Sequence, residues 1–427
     1  MKLTLNEIDY TNGFKNGNDL FERAKLGLQL QSIIRHSEDE SLVLAIDDQW
    51  GSGKTTFLKM WESELKLDED LDVIYFDAFK NDYQEDAFLA LSSAIYPKIE
   101  KQEDKRKYLN AATKAGKFLL KATAKIGLRA ATLGVVKDTD FEGLGDVTKE
   151  VIEEPIEKLI EEKLKSAENE IQVIQHFKNT ITELAKDKKI VFIIDELDRA
   201  RPDFSLDLLE KMKHVFNTKN LFFVLAVNKD QFLHIIKKRY GDIDSETYLS
   251  KFIHFWFALP QLKDFEGNSR IIPTFIDYIS RNLKINGDFR KATILLSQLL
   301  KASNASLRDC ERCYSLLVLT SANEISREEV YQYSIGISVF LKIKRPDIFK
   351  GIVTRTASPE EVLKSLNIYQ LKGISTEFLK AIVITDLMTD DELLKAEETK
   401  ERVLRDSYRD PIRALTQVLP FFESVII

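Results

Sequence analysis

The chain has 427 residues, more than one average domain, which predicts a core of about 200 to 250 residues and at least one further module. Its share of 44% hydrophobic and 31% charged residues is that of a globular protein and excludes long disordered tracts. The formal net charge of -7 gives no overall attraction to nucleic acid, so binding of that kind would need a local basic patch.

The first residues lack the apolar core of a signal peptide, and the chain has only two cysteines, Cys310 and Cys313. Both features favour a reducing cytoplasm. No stretch reaches the roughly 18 to 20 apolar residues of a spanning helix, so we expect a soluble protein without a transmembrane segment. The Cys-x-x-Cys pair has no second pair to complete a zinc site, and it predicts two core-facing residues of a helix.

Apolar patterning predicts helices alternating with buried strands. A helical period over residues 19–35 precedes a nearly continuous apolar run at Ser41–Asp47. Further runs that predict strands follow at 73–76, 190–194, Leu221–Val227 and 252–259, the last ending at Pro260. The alternation predicts an α/β fold with a parallel sheet.

A long segment separates the second predicted strand from the third. Residues 90–189 form a predicted helical insert with helices around 111–136 and 151–184, and the pattern after Pro260 is helical to the end. The sequence therefore predicts a core from residues 1–89 and 190–262, an insert at 90–189, and a helical C-terminal region at 263–427.

The first predicted strand leads into Asp-Gln-Trp-Gly-Ser-Gly-Lys-Thr-Thr at residues 48–56 and then into a helical run, the context that a phosphate-binding P-loop requires. Glycines here let backbone N–H groups close around phosphate, and the helix start adds its positive dipole. Lys54 would reach the β- and γ-phosphates, and the Thr55 hydroxyl would bind Mg²⁺. Asp48 replaces the usual first glycine, which puts the entry geometry of the loop in question. The predicted nucleotide-binding residues are Gly51, Ser52, Gly53, Lys54, Thr55 and Thr56.

The strand at 190–194 delivers two acids, Asp195 and Glu196, at its carboxyl end, as a Walker B motif does. Asp195 would hold Mg²⁺ and Glu196 would polarise the attacking water. Asn228 closes the next strand, where it would orient the same water or sense the γ-phosphate; a turn-forming role is the alternative.

Several arginines are candidates to stabilise charge in the transition state, although each also fits an ordinary surface position. Arg199 is the one closest to the paired acids in sequence. The candidates are Arg199, Arg201, Arg290, Arg308 and Arg312.

Several blocks, in order, resemble the KAP family of P-loop NTPases. They lie at residues 50–55, 76–80, 195–199, 225–228, 248–252 and 307–309. The resemblance implies an ATPase with a helical region after the core, of a kind found in bacterial phage-exclusion and defence systems. Family members commonly carry membrane-spanning segments in the insert, and this sequence shows none there.

The insert instead shows a basic face. Its cations are spaced three or four residues apart, as on one side of a helix, and they are Lys114, Lys117, Lys121, Lys125 and Arg129. Such a helix could contact an anionic membrane surface, nucleic acid or an acidic partner. A solvated face on a packed helix is the alternative.

We therefore expect an ATPase that uses ATP and Mg²⁺ to drive switching or assembly, in a bacterial defence system. Two alternatives remain: a scaffold or sensor that binds ATP with little turnover, and an ATPase stimulated by nucleic acid. The expected partner is a further copy of the chain or another protein of the same system.

Overall fold

The structure is a computed structural model that describes residues 2–38, 41–84, 86–133, 156–285, 289–320, 328–399, 403–405, 411–423 and 425. Side chains at 120–133, 156–167 and 397–399 lie outside that description.

A five-stranded parallel sheet forms the centre of the first half of the molecule, with the strand order β2-β3-β4-β1-β5. This confirms the predicted α/β class with a parallel sheet. Continuous apolar runs form these strands because helices cover both faces of the sheet. The strands are β1 (Ser41–Asp47), β2 (Leu71–Asp77), β3 (Lys189–Asp195), β4 (Leu221–Val227) and β5 (Phe255–Ala258).

Helices connect the strands and cover the sheet. Each of the four connections from one strand to the next contains at least one helix, as is usual between parallel strands. The helices up to the last strand are α1 (Ala24–His36), α2 (Lys54–Leu65), α3 (Ala78–Asn81), α4 (Ala87–Ile95), α5 (Gln102–Leu133), α6 (Ile156–Leu184), α7 (Pro202–His214), α8 (Lys229–Tyr240) and α9 (Ser245–Ser250).

Two predicted elements begin later than expected. The helix predicted over 19–35 begins at Ala24, because the Asp19 carboxylate accepts hydrogen bonds from the backbone N–H groups of Arg23 and Ala24, at 2.7 and 2.9 Å. The strand predicted over 252–259 begins at Phe255. Phe252 and Ile253 both donate to the Leu249 carbonyl and so extend the turn that ends α9.

The base of the predicted insert packs on the sheet. Phe88 of α4, Tyr108 of α5 and Phe177 of α6 are buried together, with the Phe88 and Phe177 ring centroids 5.0 Å apart. These rings belong to the same hydrophobic cluster as strands β3 and β4. The described residues at the two ends of the predicted insert, among them Tyr108 and Phe177, therefore share the core of the sheet.

The predicted basic face lies only partly within the described side chains. Lys114 and Lys117 of α5 are exposed, while Ala111 and Ala115 face the core. The other predicted cations, Lys121, Lys125 and Arg129, lie outside the described side chains. Residues 134–136 and 151–155 of the two predicted helices lie outside the described residues. Among the described residues, no helix combines the length and the apolar character needed to cross a membrane.

The described residues after β5 are mainly helical and pack around a second hydrophobic core. Cys310 and Cys313 are buried there as predicted, and burial raises the pKa of the Cys310 thiol to about 12. The helices are α10 (Ile271–Leu283), α11 (Arg290–Ala302), α12 (Leu307–Thr320), α13 (Glu329–Lys344), α14 (Pro346–Val353), α15 (Pro359–Ser365), α16 (Thr376–Leu387), α17 (Asp390–Thr399) and α18 (Ala414–Glu423).

Candidate functional site

The loop between β1 and α2 takes the form that the glycines predict. Gly51 and Gly53 have positive φ angles of 78° and 93°, a region in which side chains are strained. Lys54 begins α2, and no side chain caps that helix start. The first N–H groups of α2 are therefore available to an anion. Asp48 does not share the positive φ, so the side chain at that position causes no strain in the loop.

Lys54 is 9% exposed, and its ammonium group donates to the backbone carbonyls of Asp48 and Gln49. Burial lowers its pKa, while the carboxylates of Asp198 and Asp48 oppose that shift. A desolvated ammonium group at the start of a helix that no side chain caps is suited to bind an anionic group.

Two acids stand at the carboxyl end of β3, as predicted. Asp195 is 2% exposed; one of its oxygens accepts the Tyr75 hydroxyl at 2.7 Å and the other accepts the Glu196 N–H at 2.9 Å. Desolvation and the neighbouring Asp195 raise the pKa of the Tyr75 phenol, which keeps it a donor. Tyr75 thus fixes the Asp195 carboxylate in place.

Glu196 has a positive φ of 56°, a strained conformation for a residue with a side chain. Burial raises the pKa of its carboxyl, and the nearby Arg199 opposes that shift. The Arg199 guanidinium pairs with this carboxylate at 2.6 Å, and its Cζ lies 6.0 Å from the centroid of the Trp50 ring. Arg199 therefore lies against the predicted general base.

Asp198 links three parts of the site, a role that the sequence reasoning missed. Its Oδ2 accepts the Trp50 indole N–H at 2.6 Å and the Asn228 backbone N–H at 2.8 Å. Asp198 is 5% exposed. One buried carboxylate thus joins the P-loop, the Walker B segment and the end of β4.

These groups surround a cavity of about 400 Å³. Lys54 and Thr55 line it on the P-loop side, and Asp195, Glu196 and Arg199 line it on the side of β3. The structure therefore brings both motifs to one cavity. Its walls come from four parts of the chain: residues 5–23, 49–60, 195–199 and 275–311.

Apart from the candidate arginine Arg308, the lining residues of the first and last of these parts were not predicted as site residues. They contribute aromatic side chains, with the Phe21 and Phe275 ring centroids 6.2 Å apart and those of Phe275 and Tyr278 6.1 Å apart. Tyr10 also lines the cavity. Aromatic walls beside a phosphate-binding loop are suited to stack a nucleotide base.

The start of α12 rests directly on the P-loop. The Leu307 N–H donates to the Gly51 carbonyl at 3.0 Å. A Cβ on Gly51 would lie 3.0 Å from the Cβ and Oγ of Ser306 and 3.2 Å from the Cβ of Arg308. The helical C-terminal region is therefore in contact with the loop that would hold phosphate.

The remaining predicted residues are placed as follows. Asn228 is not among the cavity-lining residues; its side-chain oxygen accepts the Gln231 N–H at 3.2 Å and caps α8, as the turn-forming alternative predicts. Thr56 lines the cavity, and the Ser52 hydroxyl is buried without a partner among the described residues.

Of the candidate arginines, Arg199 and Arg308 line the cavity, whereas Arg201 donates to Asp82. Arg290 and Arg312 are outside its lining.

The predicted metal ligands fit magnesium. The Thr55 hydroxyl and the Asp195 carboxylate are oxygen donors lining one cavity, the type of ligand that Mg²⁺ prefers. The described residues contain no cluster of three or more His, Cys, Asp or Glu side chains that could hold a metal. Magnesium would therefore take its other ligands from phosphate oxygens and water.

A parallel sheet, a P-loop and a strand-borne acid pair at one cavity define a P-loop NTPase. The match to the KAP family P-loop domain extends over residues 23–323, and the chain belongs to that family. No curated protein sequence matches the chain.

Three solved structures resemble the chain with low similarity scores. Cdc6p from Pyrobaculum aerophilum has a TM-score of 0.41 and 11% identity, covering 98% of this chain and 90% of its own. The Aeropyrum pernix ORC2 protein, solved as ADPNP and ADP complexes, has a TM-score of 0.37 and 11% identity, covering 94% and 85%. The Drosophila ORC bound to DNA has a TM-score of 0.36 and 11% identity, covering 96% and 98%.

Proposed function

We propose that this chain binds ATP with Mg²⁺ in the cavity and hydrolyses it. One observation carries the proposal: Lys54 and the Asp195–Glu196 pair, 141 positions apart (195 - 54), line the same cavity. Membership of a P-loop NTPase family supports nucleotide as the ligand. The aromatic side chains of the N-terminal segment and α10 are suited to hold the base.

Each of these side chains would have a different role in phosphoryl transfer. Lys54 and the amides of residues 51–54 would stabilise negative charge on the transferred phosphate. Thr55 and Asp195 would hold Mg²⁺, which would supply positive charge to the phosphates. Glu196 would accept a proton from the attacking water, and its burial-raised pKa makes it a stronger base than a free glutamate.

Replacing Lys54 with alanine should weaken ATP binding and abolish turnover, because the variant removes the only lysine among the cavity-lining residues. ATP binding is measured by calorimetry and turnover by phosphate release. Lys66→Ala is the matched control; Lys66 directly follows the same helix and pairs with Glu62 outside the cavity lining. Unchanged ATP binding in Lys54→Ala would contradict the proposal.

A second candidate is a scaffold or sensor that holds ATP with little turnover. The ion pair between Arg199 and Glu196 favours it, because a base paired with a guanidinium is hindered from taking a proton from water. The strained φ of Glu196 is consistent with a residue that changes conformation between states.

Arg199→Gln separates the two candidates. If the pair restrains Glu196, phosphate release should rise by roughly fivefold, which matches the release of about 1 kcal/mol of ion-pair energy. If Arg199 instead stabilises transition-state charge, the same variant should lose turnover. Arg201→Gln is the control, since Arg201 donates to Asp82 outside the cavity.

We further propose that turnover drives conformational switching or assembly in bacterial antiphage defence. The contact from Leu307 to Gly51 supports the first part, because it offers a direct route from the phosphate loop to the helical C-terminal region. The likeness to KAP family blocks supports the second part. The cytoplasm is the proposed compartment.

A further inference from the structure

Arg23 is a buried cation in the wall of the nucleotide cavity that the motif analysis did not identify. It stands just before α1 and is 3% exposed. Its Nη1 donates to the Ser52 carbonyl at 3.0 Å, and it lies 3.0 Å from where a Cβ on Gly53 would be. The guanidinium therefore touches the P-loop backbone at the two residues that precede Lys54.

This guanidinium makes no ion pair with any carboxylate of the described residues. Asp48 and Asp19 attract it without a hydrogen bond to its side chain. The Asp19 carboxylate accepts backbone N–H groups instead, as does that of Asp48. The Nε of Arg23 is buried and has no acceptor among the described residues.

Other contacts compensate only part of that charge. The Arg23 Cζ lies 4.8 Å from the centroid of the Phe21 ring, a cation–π contact. Burial nevertheless lowers the pKa of the guanidinium to about 10. A buried charge is costly unless it is paired, and an arginine fork with an unused donor fits phosphate oxygens.

We propose that Arg23 binds a phosphate group of the nucleotide and obtains its counter-charge from that ligand. The ligand class is a nucleoside di- or triphosphate, and the proposal rests on the proposed nucleotide site. Arg23 would act from the N-terminal wall, while Lys54 acts from the P-loop. Nucleotide binding would thereby tie the start of α1 and the N-terminal segment to the phosphates.

The alternative is a purely structural role, in which Arg23 fastens α1 to the P-loop through Ser52. The two roles differ in the nucleotide-free protein. Arg23→Gln keeps a donor for the Ser52 carbonyl and removes the charge. A phosphate-binding role predicts an unchanged or higher Tm without nucleotide, since an unpaired buried charge is gone. A structural role predicts a lower Tm.

The test combines thermal unfolding with ATP calorimetry in the presence of magnesium. We expect Arg23→Gln to keep its nucleotide-free Tm, to bind ATP at least tenfold more weakly, and to lose most of the Tm increase that ATP gives the wild type. Arg23→Lys restores the charge and should recover part of the affinity. The matched control is Lys25→Met, which removes an exposed cation two residues along the same helix.

The outcomes separate this inference from the proposed function. Wild-type protein that binds no ATP would refute the nucleotide site and this proposal with it. Wild-type binding together with equal binding by Arg23→Gln would overturn the role of Arg23 alone. A Gln variant that unfolds, or has a lower Tm without nucleotide, would assign Arg23 to structure.

Discussion

Glu196→Gln is expected to lower steady-state phosphate release by roughly 10²- to 10⁴-fold, the usual contribution of a general base. The amide keeps the shape of the side chain but cannot accept a proton from water. ATP binding should persist, because Lys54 and the loop amides remain. Burial raises the pKa of Glu196, and its ion pair with Arg199 opposes that shift.

Phosphate release and ATP calorimetry on the same preparations check this prediction. Glu246→Gln is the matched control, since that carboxylate is 67% exposed and pairs with Lys229. Turnover at the wild-type rate in Glu196→Gln would remove Glu196 from the chemistry. Loss of ATP binding as well would indicate a misfolded site.

Asp198→Ala is expected to lower the free energy of unfolding by about 2 to 3 kcal/mol. The buried carboxylate accepts hydrogen bonds from the Trp50 indole and the Asn228 N–H, and alanine leaves both donors without that acceptor. ATP affinity should fall too, because Trp50 precedes Gly51 in the P-loop and would lose its anchor.

Urea denaturation measures the stability change, and Asp203→Ala provides the control. Asp203 is 77% exposed and pairs with Arg239, so its loss should change stability by less than about 1 kcal/mol. A stability loss in Asp198→Ala no larger than in this control would show that the linkage through Asp198 contributes little.

The sheet could be predicted because buried parallel strands are continuous apolar runs. Ser41–Asp47 and Leu221–Val227 were predicted with the bounds that the structure shows. The predicted start of β5 was wrong. Phe252 and Ile253 are as apolar as strand residues, and only their hydrogen bonds to Leu249 place them in a turn.

The two motifs could be predicted because each is local. A P-loop and a Walker B segment are each encoded in fewer than ten consecutive residues, and the parallel topology brings them to one edge of the sheet. The function of each predicted residue in catalysis stays a prediction.

Apart from the candidate Arg308, the other cavity walls could not be predicted, because no spacing rule relates residues 5–23 or 275–311 to a loop at 51–56. The same is true of the bonds made by Asp198, whose partners lie 148 and 30 positions away. Arg23 gave no signal either, since one arginine before a helix is unremarkable in a sequence. Its burial is visible only after folding.

The distribution of the cavity walls along the chain has a practical consequence for fragments and variants. A protein cut after residue 262 would retain the P-loop and the Walker B segment and still lack Phe275, Tyr278 and Leu307 from the pocket. Deleting the first twenty residues would remove the N-terminal wall of the cavity, which includes Tyr10. Substitutions that impair the site should accordingly map to residues 5–23 and 275–311 as well as to the motifs, and binding measurements on a fragment that ends at residue 262 would describe an incomplete cavity.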